Sequence, residues 1–543
     1  MKVHLAVAIL AALPAAAQTG FDVQDRIPVW QIRIDPEYLQ DLEEHPEHDV
    51  YYPCTIRRDD GPVIAAEMKV RGQSSSAGDK KSWKVKITDG STVDRRKKFY
   101  WNGMSSHPGP FNDNWAYAVA RAAGVKAPRY TYMDLWINGA FHGLYGDQWD
   151  SSDKESLRQW GFHDNSNVYR ARPMNLSDYY RPTEEWKKET NESTPWDDLE
   201  AYLRYVNRTP QDRFESVTPQ VIDLETEIDL LAWHAIYGHY VISDCGYYYV
   251  HDRTTDRWFT VPHDANNARA WTGYSPQTTL VPHTIYEHYR GLAEREDMWS
   301  GLWVRMLDVP SFRHRLVARI QELYATVLTD GALVACLDQL HELALPSLRR
   351  DPFLTEPVWE VEYRSLREFI SARHRFVLES LRGLETLGDE GIHVNEFLAR
   401  NNGVVGDEFG EADPFVEIHN ATDRAVSLAG MILSGRRGTA FWGDMVAWTL
   451  PEGVSVPAHG YLVIWVDGQP EQGPLHAGFR LDPDRGEIGL FRDVPYQGAV
   501  NGPHGVVDHV FYGPTTRDRS TGRIADGAES WWSDLVPSPG RPN

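Results

Sequence analysis

The sequence predicts an α+β, two-lobed protein followed by an all-β sandwich. Three observations carry this. Apolar and polar residues alternate over 28–37, 63–71 and Ser82–Ile87, the signature of half-buried strands. From about Met298 to Leu387 apolar residues recur at threes and fours, the period of helices. After Gly388 the composition changes: residues 393–543 hold no lysine and many Gly, Pro and Asp, with short apolar runs at nearly the ~8 to 12 residue spacing of a β-sandwich. Strands first and helices later make the first part α+β.

Taken in order, Met1, Lys2 and His4, the apolar run Leu5–Leu13 and Ala15-Ala16-Ala17 before Gln18 predict a secretory signal peptide over 1–17, cleaved after Ala17. Trp115–Ala123 has helical spacing and stops at Gly124, and Arg129–Ile137 turns at Asn138-Gly139 into Phe141–Tyr145. Asn-Gly between apolar runs marks a hairpin. A helix over Glu225–Tyr240 precedes two aromatic strands, Tyr247–His251 and Arg257–Pro262, joined by the polar turn Asp252–Asp256. The helical segments Leu302–Leu307, Phe312–Val327 and Leu366–Leu381 follow, then the short strands Phe415–His419 and Tyr461–Val466. The predicted units are a sheet-rich lobe (28–150), a helical lobe (151–387) and the sandwich (393–543).

Composition excludes several classes. A net charge of −23 argues against a nucleic-acid partner, whose phosphates it would repel. No stretch after the signal segment approaches the ~18 apolar residues of a membrane span. Three dispersed cysteines, Cys54, Cys245 and Cys336, form no disulfide framework. The sequence has no C-x-x-C, H-E-x-x-H, G-x-S-x-G or P-loop pattern. Against the acidic background, Lys69–Lys98 holds ten Lys or Arg and three acids. Such a patch suits a small polyanion such as a nucleotide triphosphate, or is a solvated basic face.

Asp244 and Asp264 stand twenty positions apart, at the two ends of the predicted hairpin. Phosphoryl transfer uses such carboxylates, one to accept the proton of the attacking hydroxyl and one to hold Mg²⁺. Asn266 and Asn267 follow as oxygen donors of the kind Mg²⁺ prefers. Asp at strand ends also simply forms turns. His234 and His239, five apart on the predicted helix, do not share a face well enough to read as a metal pair.

Residues 28–385 resemble the CotH kinases, relatives of protein kinases. The resemblance rests on Lys69-Val70-Arg71-Gly72-Gln73-Ser74-Ser75, on Lys80-Lys81-Ser82-Trp83-Lys84-Val85-Lys86, on Ile137-Asn138-Gly139 leading to Gly143-Leu144-Tyr145, and on the Tyr247–Asp264 hairpin. It implies a protein-kinase-like fold binding ATP and Mg²⁺. Arg71 would lie near the phosphates, and Lys84 or a neighbour (Lys80, Lys81, Lys86) would pair with them. Asp150 matches a position usually held by Glu near the nucleotide. Asp244 would be the catalytic Asp, and Asp264 with Asn266 the metal-holding residues. Where the family shows Trp-Asp-x-Asp, this chain has His263-Asp264-Ala265-Asn266, a neutral amide in place of one carboxylate.

Residues 392–543 resemble the lamin-tail domain, an immunoglobulin-like sandwich. The match runs through Val394-Asn395-Glu396-Phe397, Asp413–Asn420, Leu428–Leu433 and Ser520-Thr521-Gly522-Arg523. Together the resemblances imply a secreted bacterial kinase that phosphorylates Ser or Thr of an extracellular or envelope protein. The rival is a catalytically degenerate scaffold of the cell envelope or extracellular matrix.

Overall fold

The computed structural model describes residues 20–72, 78–104, 109–171, 182–209, 211–238, 246–263, 265, 301–385, 391–436, 445–484, 486–492 and 506–543. The signal segment predicted over 1–17 lies outside them.

The alternating segments become a barrel. Strands β1 (Val29–Ile34), β2 (Tyr52–Arg58), β3 (Ile64–Arg71), β4 (Ser82–Ile87), β5 (Lys98–Asn102), β6 (Tyr130–Ile137) and β7 (Ala140–Gln148) pair in the order β1-β2-β3-β4-β5-β7-β6. The alternation predicts a twisted antiparallel sheet, and the structure closes it on itself through one parallel seam, with Trp30 of β1 opposite Leu135 of β6. Closure removes exposed edges. One pleat face turns inward and is filled by Trp30, Met68, Trp83, Phe99, Trp101 and Leu135, bulk enough for a small barrel's interior. The other face carries Lys69 and Arg71 on β3, Lys84 and Lys86 on β4, and Lys98 and Tyr100 on β5, none of them fully buried. At the predicted β6–β7 turn Asn138 and Gly139 both have positive φ, 51° and 88°, as a two-residue hairpin turn requires.

Helix Asn112–Ala122 is buried along most of its length, with Trp115, Tyr117 and Val119 in the shared core and Asp113 and Arg121 partly exposed. Beyond it, β8 (Asn167–Ala171), β9 (Trp186–Lys188), β10 (Tyr247–Asp252) and β11 (Arg257–Pro262) form a second sheet, β11-β10-β8-β9. The predicted aromatic hairpin is β10–β11, with Tyr247 opposite Pro262 and Asp252 opposite Arg257. The helix before it spans Leu224–Tyr237, capped by Asp223, whose side chain accepts from Thr226 N–H at 3.1 Å. It ends before the predicted Tyr240 because Gly238 takes the left-handed conformation, which stops a helix. Helices Gly301–Asp308, Pro310–Ala325, Asp330–Leu348 and Glu356–Glu385 occupy the predicted helical stretch and share one apolar core with helix Asn112–Ala122.

Among the described residues, eleven strands follow: β12 (Ile392–Leu398), β13 (Phe415–Asn420), β14 (Val426–Ser427), β15 (Ile432–Arg436), β16 (Met445–Thr449), β17 (Ser455–Val456), β18 (Tyr461–Trp465), β19 (Gly486–Phe491), β20 (Val506–Tyr512), β21 (Ser520–Arg523) and β22 (Trp531–Leu535). They form a five-stranded sheet (β18-β13-β12-β21-β22), a four-stranded sheet (β16-β15-β19-β20) and the pair β14-β17. Val394, Phe397 and Ile418 of the first sheet share a core with Leu433, Ile488 and Val510 of the second. Cys54 and Cys336 are free and buried in separate cores, and burial pushes both thiols up to about 12. Among the described residues, no single helix is long and apolar enough to cross a membrane.

Candidate functional site

Cross-strand register decides which basic residues meet on the barrel's outer face. Lys69, Lys84 and Tyr100 lie side by side across β3, β4 and β5. Arg71, two residues along β3, reaches back toward the same ring. The Arg71 guanidinium carbon sits 5.1 Å and the Lys84 Nζ 5.2 Å from the centroid of Tyr100, within cation–π range. Tyr100 Oη donates to Asp150 Oδ2 at 2.9 Å. Asp150 Oδ1 in turn accepts from Ser152 N–H at 3.0 Å and Ser152 Oγ at 2.9 Å.

Two cations, one phenol and one carboxylate therefore share a site. Burial, with help from Lys98, lowers the Lys84 pKa, while Asp150 pulls it up. Burial first, then Asp150, drives the Tyr100 phenol far up, so it remains a donor. Arg71 Nη1 is buried and finds no hydrogen-bond partner among the described residues. No described carboxylate lies within ion-pair distance of either Arg71 or Lys84, whose shared neighbour is the Tyr100 ring. Arg71 and Lys84 are both partly exposed, but a buried cationic N–H without an acceptor is costly, and an anionic ligand relieves that cost.

The second sheet walls this cluster. Tyr248 on β10 feels Asp150 and Arg71 electrostatically, lies under Arg170 at 5.8 Å, and meets the His263 ring edge-on at 5.1 Å. Behind it, Gln148, the register partner of Tyr100, donates to Tyr117 Oη at 3.1 Å. The same hydroxyl accepts from Ala265 N–H at 3.4 Å, and Tyr237 Oη donates to Ala265 O at 3.0 Å.

Of the residues predicted for the site, Arg71, Lys84 and Asp150 come together. Lys86 does not: it is one register step away, opposite Glu67, and its Nζ pairs with Glu67 Oε1 at 2.9 Å. Lys80 is withdrawn altogether. Its Nζ is fully buried between Asp351 Oδ2 at 2.7 Å and Leu144 O at 2.6 Å, and burial brings its pKa down to about 8 against the pull of Asp351. Asp244, Asp264 and Asn266 lie outside the described residues. Tyr100 and Tyr248 escaped the sequence reading. The alternation Lys98-Phe99-Tyr100-Trp101 is the signal that puts Tyr100 on the outer face.

The profile of a family described as CotH kinase protein matches residues 68–377, more than half of the chain. No curated protein matches the chain. Among solved structures, a Helicobacter pylori proinflammatory kinase CtkA matches with 11% identity and a TM-score of 0.25, over 55% of this chain and 94% of that one. No residue role is carried over from that structure.

Proposed function

We propose, for a chain that belongs to the CotH kinase protein family, that it is an exported kinase passing the terminal phosphoryl group of ATP to a Ser or Thr of an extracellular or envelope protein. One observation carries this reading: Arg71 and Lys84 converge on Tyr100 without a carboxylate partner among the described residues, and Arg71 Nη1 is a buried donor with no acceptor among them. This donor set fits nucleotide phosphates, with the forked guanidinium and the ammonium supplying charge-assisted bonds.

In this reading Arg71 and Lys84 bind and orient the phosphates. Asp150 fixes the Tyr100 hydroxyl and so the ring beneath both cations. Asp264 and Asn266 would hold Mg²⁺, which when bound offsets phosphate charge and aligns the terminal phosphoryl group. Asp244 would take the proton of the acceptor hydroxyl. Residues 1–17 would direct export. The region 393–543 would act as a lamin-tail-like attachment module rather than a site of chemistry.

His263-Asp264-Ala265-Asn266, with one carboxylate fewer than the family pattern, favours a second reading, a scaffold that binds nucleotide weakly, because fewer anionic ligands weaken Mg²⁺ binding. Calorimetric titration with Mg-ATP, followed by transfer of labelled phosphate to casein as a generic acceptor, separates the two. Binding with transfer that Asp244→Asn abolishes supports the kinase, and transfer unaffected by that change removes Asp244 from the role of proton acceptor. Binding without transfer, or no binding, supports the scaffold.

A further inference from the structure

The second sheet has two unlike faces. Strand alternation puts Tyr169, Ala171, Trp186, Tyr247 and Tyr249 into the core shared with the helices. The opposite face carries Tyr248, Arg170 and Lys187 side by side, each the register partner of the next across β10, β8 and β9. Residues directly opposite one another on adjacent strands are neighbours, so these three make a strip that ends at the sheet's edge, where β9 is the last strand. Tyr248 is buried, Arg170 partly exposed and Lys187 exposed.

Electrostatics ties this strip to the barrel wall that bears Arg71 and Lys84. The Tyr248 phenol, pushed up by burial, feels Asp150, Arg170, Glu189 and Arg71, and Lys187 adds to the burial that lowers the Lys84 pKa. The strip is cationic on balance. Among the described residues no carboxylate stands within ion-pair distance of Arg170, which leans on the Tyr248 ring at 5.8 Å. Lys187 is paired with Glu189 at 2.7 Å. Phosphates held by Arg71 and Lys84 would leave Arg170 unneutralised, one strand spacing of ~4.8 Å outward from Tyr248. In a chain of net charge −23, an unpaired cation on the wall of a cleft is where an anionic group is drawn.

Resting on the kinase reading, we propose that Tyr248, Arg170 and Lys187 form the subsite for the acceptor peptide, and that the preferred acceptor is a Ser or Thr flanked by acidic residues. The Arg170 guanidinium takes a carboxylate as a fork, with the Tyr248 ring beneath it. Lys187, two strands from Tyr248 and so roughly 10 Å away, meets a second carboxylate. An extended peptide rises ~3.3 Å per residue, so the acids recognised stand within about three positions of the target hydroxyl. The strip leads away from Arg71 and Lys84 rather than between them, which suits a peptide better than the nucleotide.

The test follows binding of fluorescein-labelled peptides to the full chain by fluorescence anisotropy. The peptides are identical except that glutamates, glutamines or lysines flank a single Ser. The glutamate peptide should bind at least about tenfold more tightly than the glutamine peptide, the scale of one charge-assisted contact, although the overall charge of the protein favours the lysine peptide. Arg170→Gln should erase the difference between the glutamate and glutamine peptides, and Arg170→Glu should prefer the lysine peptide. Lys187→Gln should cost less, because Glu189 already pairs with that lysine. Equal binding of the glutamate and glutamine peptides by wild type, or a preference that survives Arg170→Gln, overturns the proposal. So does a matching loss of Mg-ATP affinity in Arg170→Gln by calorimetry, which would assign the residue to the nucleotide. A preference that Arg170→Gln removes supports the subsite even where no phosphate is transferred, and then only the kinase reading falls.

Discussion

Lys80 Nζ and Asp351 Oδ2 stand 2.7 Å apart, 271 positions apart in the chain, with neither side chain exposed. The pair fastens the barrel to the segment after helix Asp330–Leu348. Asp351 Oδ2 also accepts from Leu144 N–H at 2.7 Å, and its Oδ1 caps Phe353 N–H and Leu354 N–H. Gly143 is required beside it: a Cβ there would lie 2.6 Å from Asp351 Oδ2, on a backbone with φ of 127°. The Gly143-Leu144-Tyr145 motif is thus a clasp, with Tyr145 placing its ring 4.7 Å from the Lys80 ammonium.

Breaking one half of this clasp strands a buried charge. Asp351→Ala should destabilise the protein by about 3 to 5 kcal/mol, read by urea unfolding. The double change Lys80→Met with Asp351→Asn should recover part of that loss, because it leaves no charge unpaired and keeps an oxygen for the backbone N–H groups that Asp351 accepts from. A single variant as stable as wild type contradicts the clasp.

Glu362 supplies a pH signature. Fully buried, it accepts from Phe111 N–H and Asn112 N–H at 3.1 Å each, and burial pushes its pKa up from 4.5 to about 8. Between those values the folded protein keeps a proton that the unfolded chain releases, so stability falls as pH rises through this window. Glu362→Gln cannot lose that proton. Relative to wild type it should gain on the order of 3 kcal/mol between pH 5 and pH 8. Equal pH slopes for the two proteins would show that Glu362 is ionised in the fold.

In the barrel, Trp101 is fully buried beside Trp30, their ring centroids 5.1 Å apart. Trp101→Ala opens a cavity that a closed barrel cannot collapse to fill, and should cost about 3 to 5 kcal/mol. A loss under about 1 kcal/mol by denaturant unfolding contradicts this packing.

Strand and helix periods made much of the first part legible: β3, β4, β6, β7 and the β10–β11 hairpin lie where alternation and turn residues put them. Barrel closure was not legible, because the β1–β6 seam joins residues about a hundred positions apart and strand periodicity says nothing of partners. The same limit governs the site. Lys84 and Lys86 are equivalent in a period-2 pattern, and only cross-strand register separates them, setting Lys84 beside Tyr100 and Lys86 beside Glu67. Lys80 reads as surface charge in sequence because its counter-ion, Asp351, comes from a distant helical segment.

Tyr100 tests how the cations are held. Tyr100→Phe keeps the ring under Arg71 and Lys84 but removes the bond to Asp150 at 2.9 Å. Stability should fall by only about 1 kcal/mol, while Mg-ATP affinity drops several-fold by calorimetry. Unchanged affinity would mean that Asp150 does not order the cluster.

The most direct test of the phosphate site compares two neighbouring lysines by calorimetric titration with Mg-ATP. Lys84→Met should weaken binding at least about tenfold, the scale of one charge-assisted phosphate contact, while Lys86→Met, which loses only its pairing with Glu67, should bind as wild type does. Equal losses in the two variants, or full binding by Lys84→Met, would contradict the assignment of Arg71, Lys84, Tyr100 and Asp150 as the place where nucleotide phosphates are held.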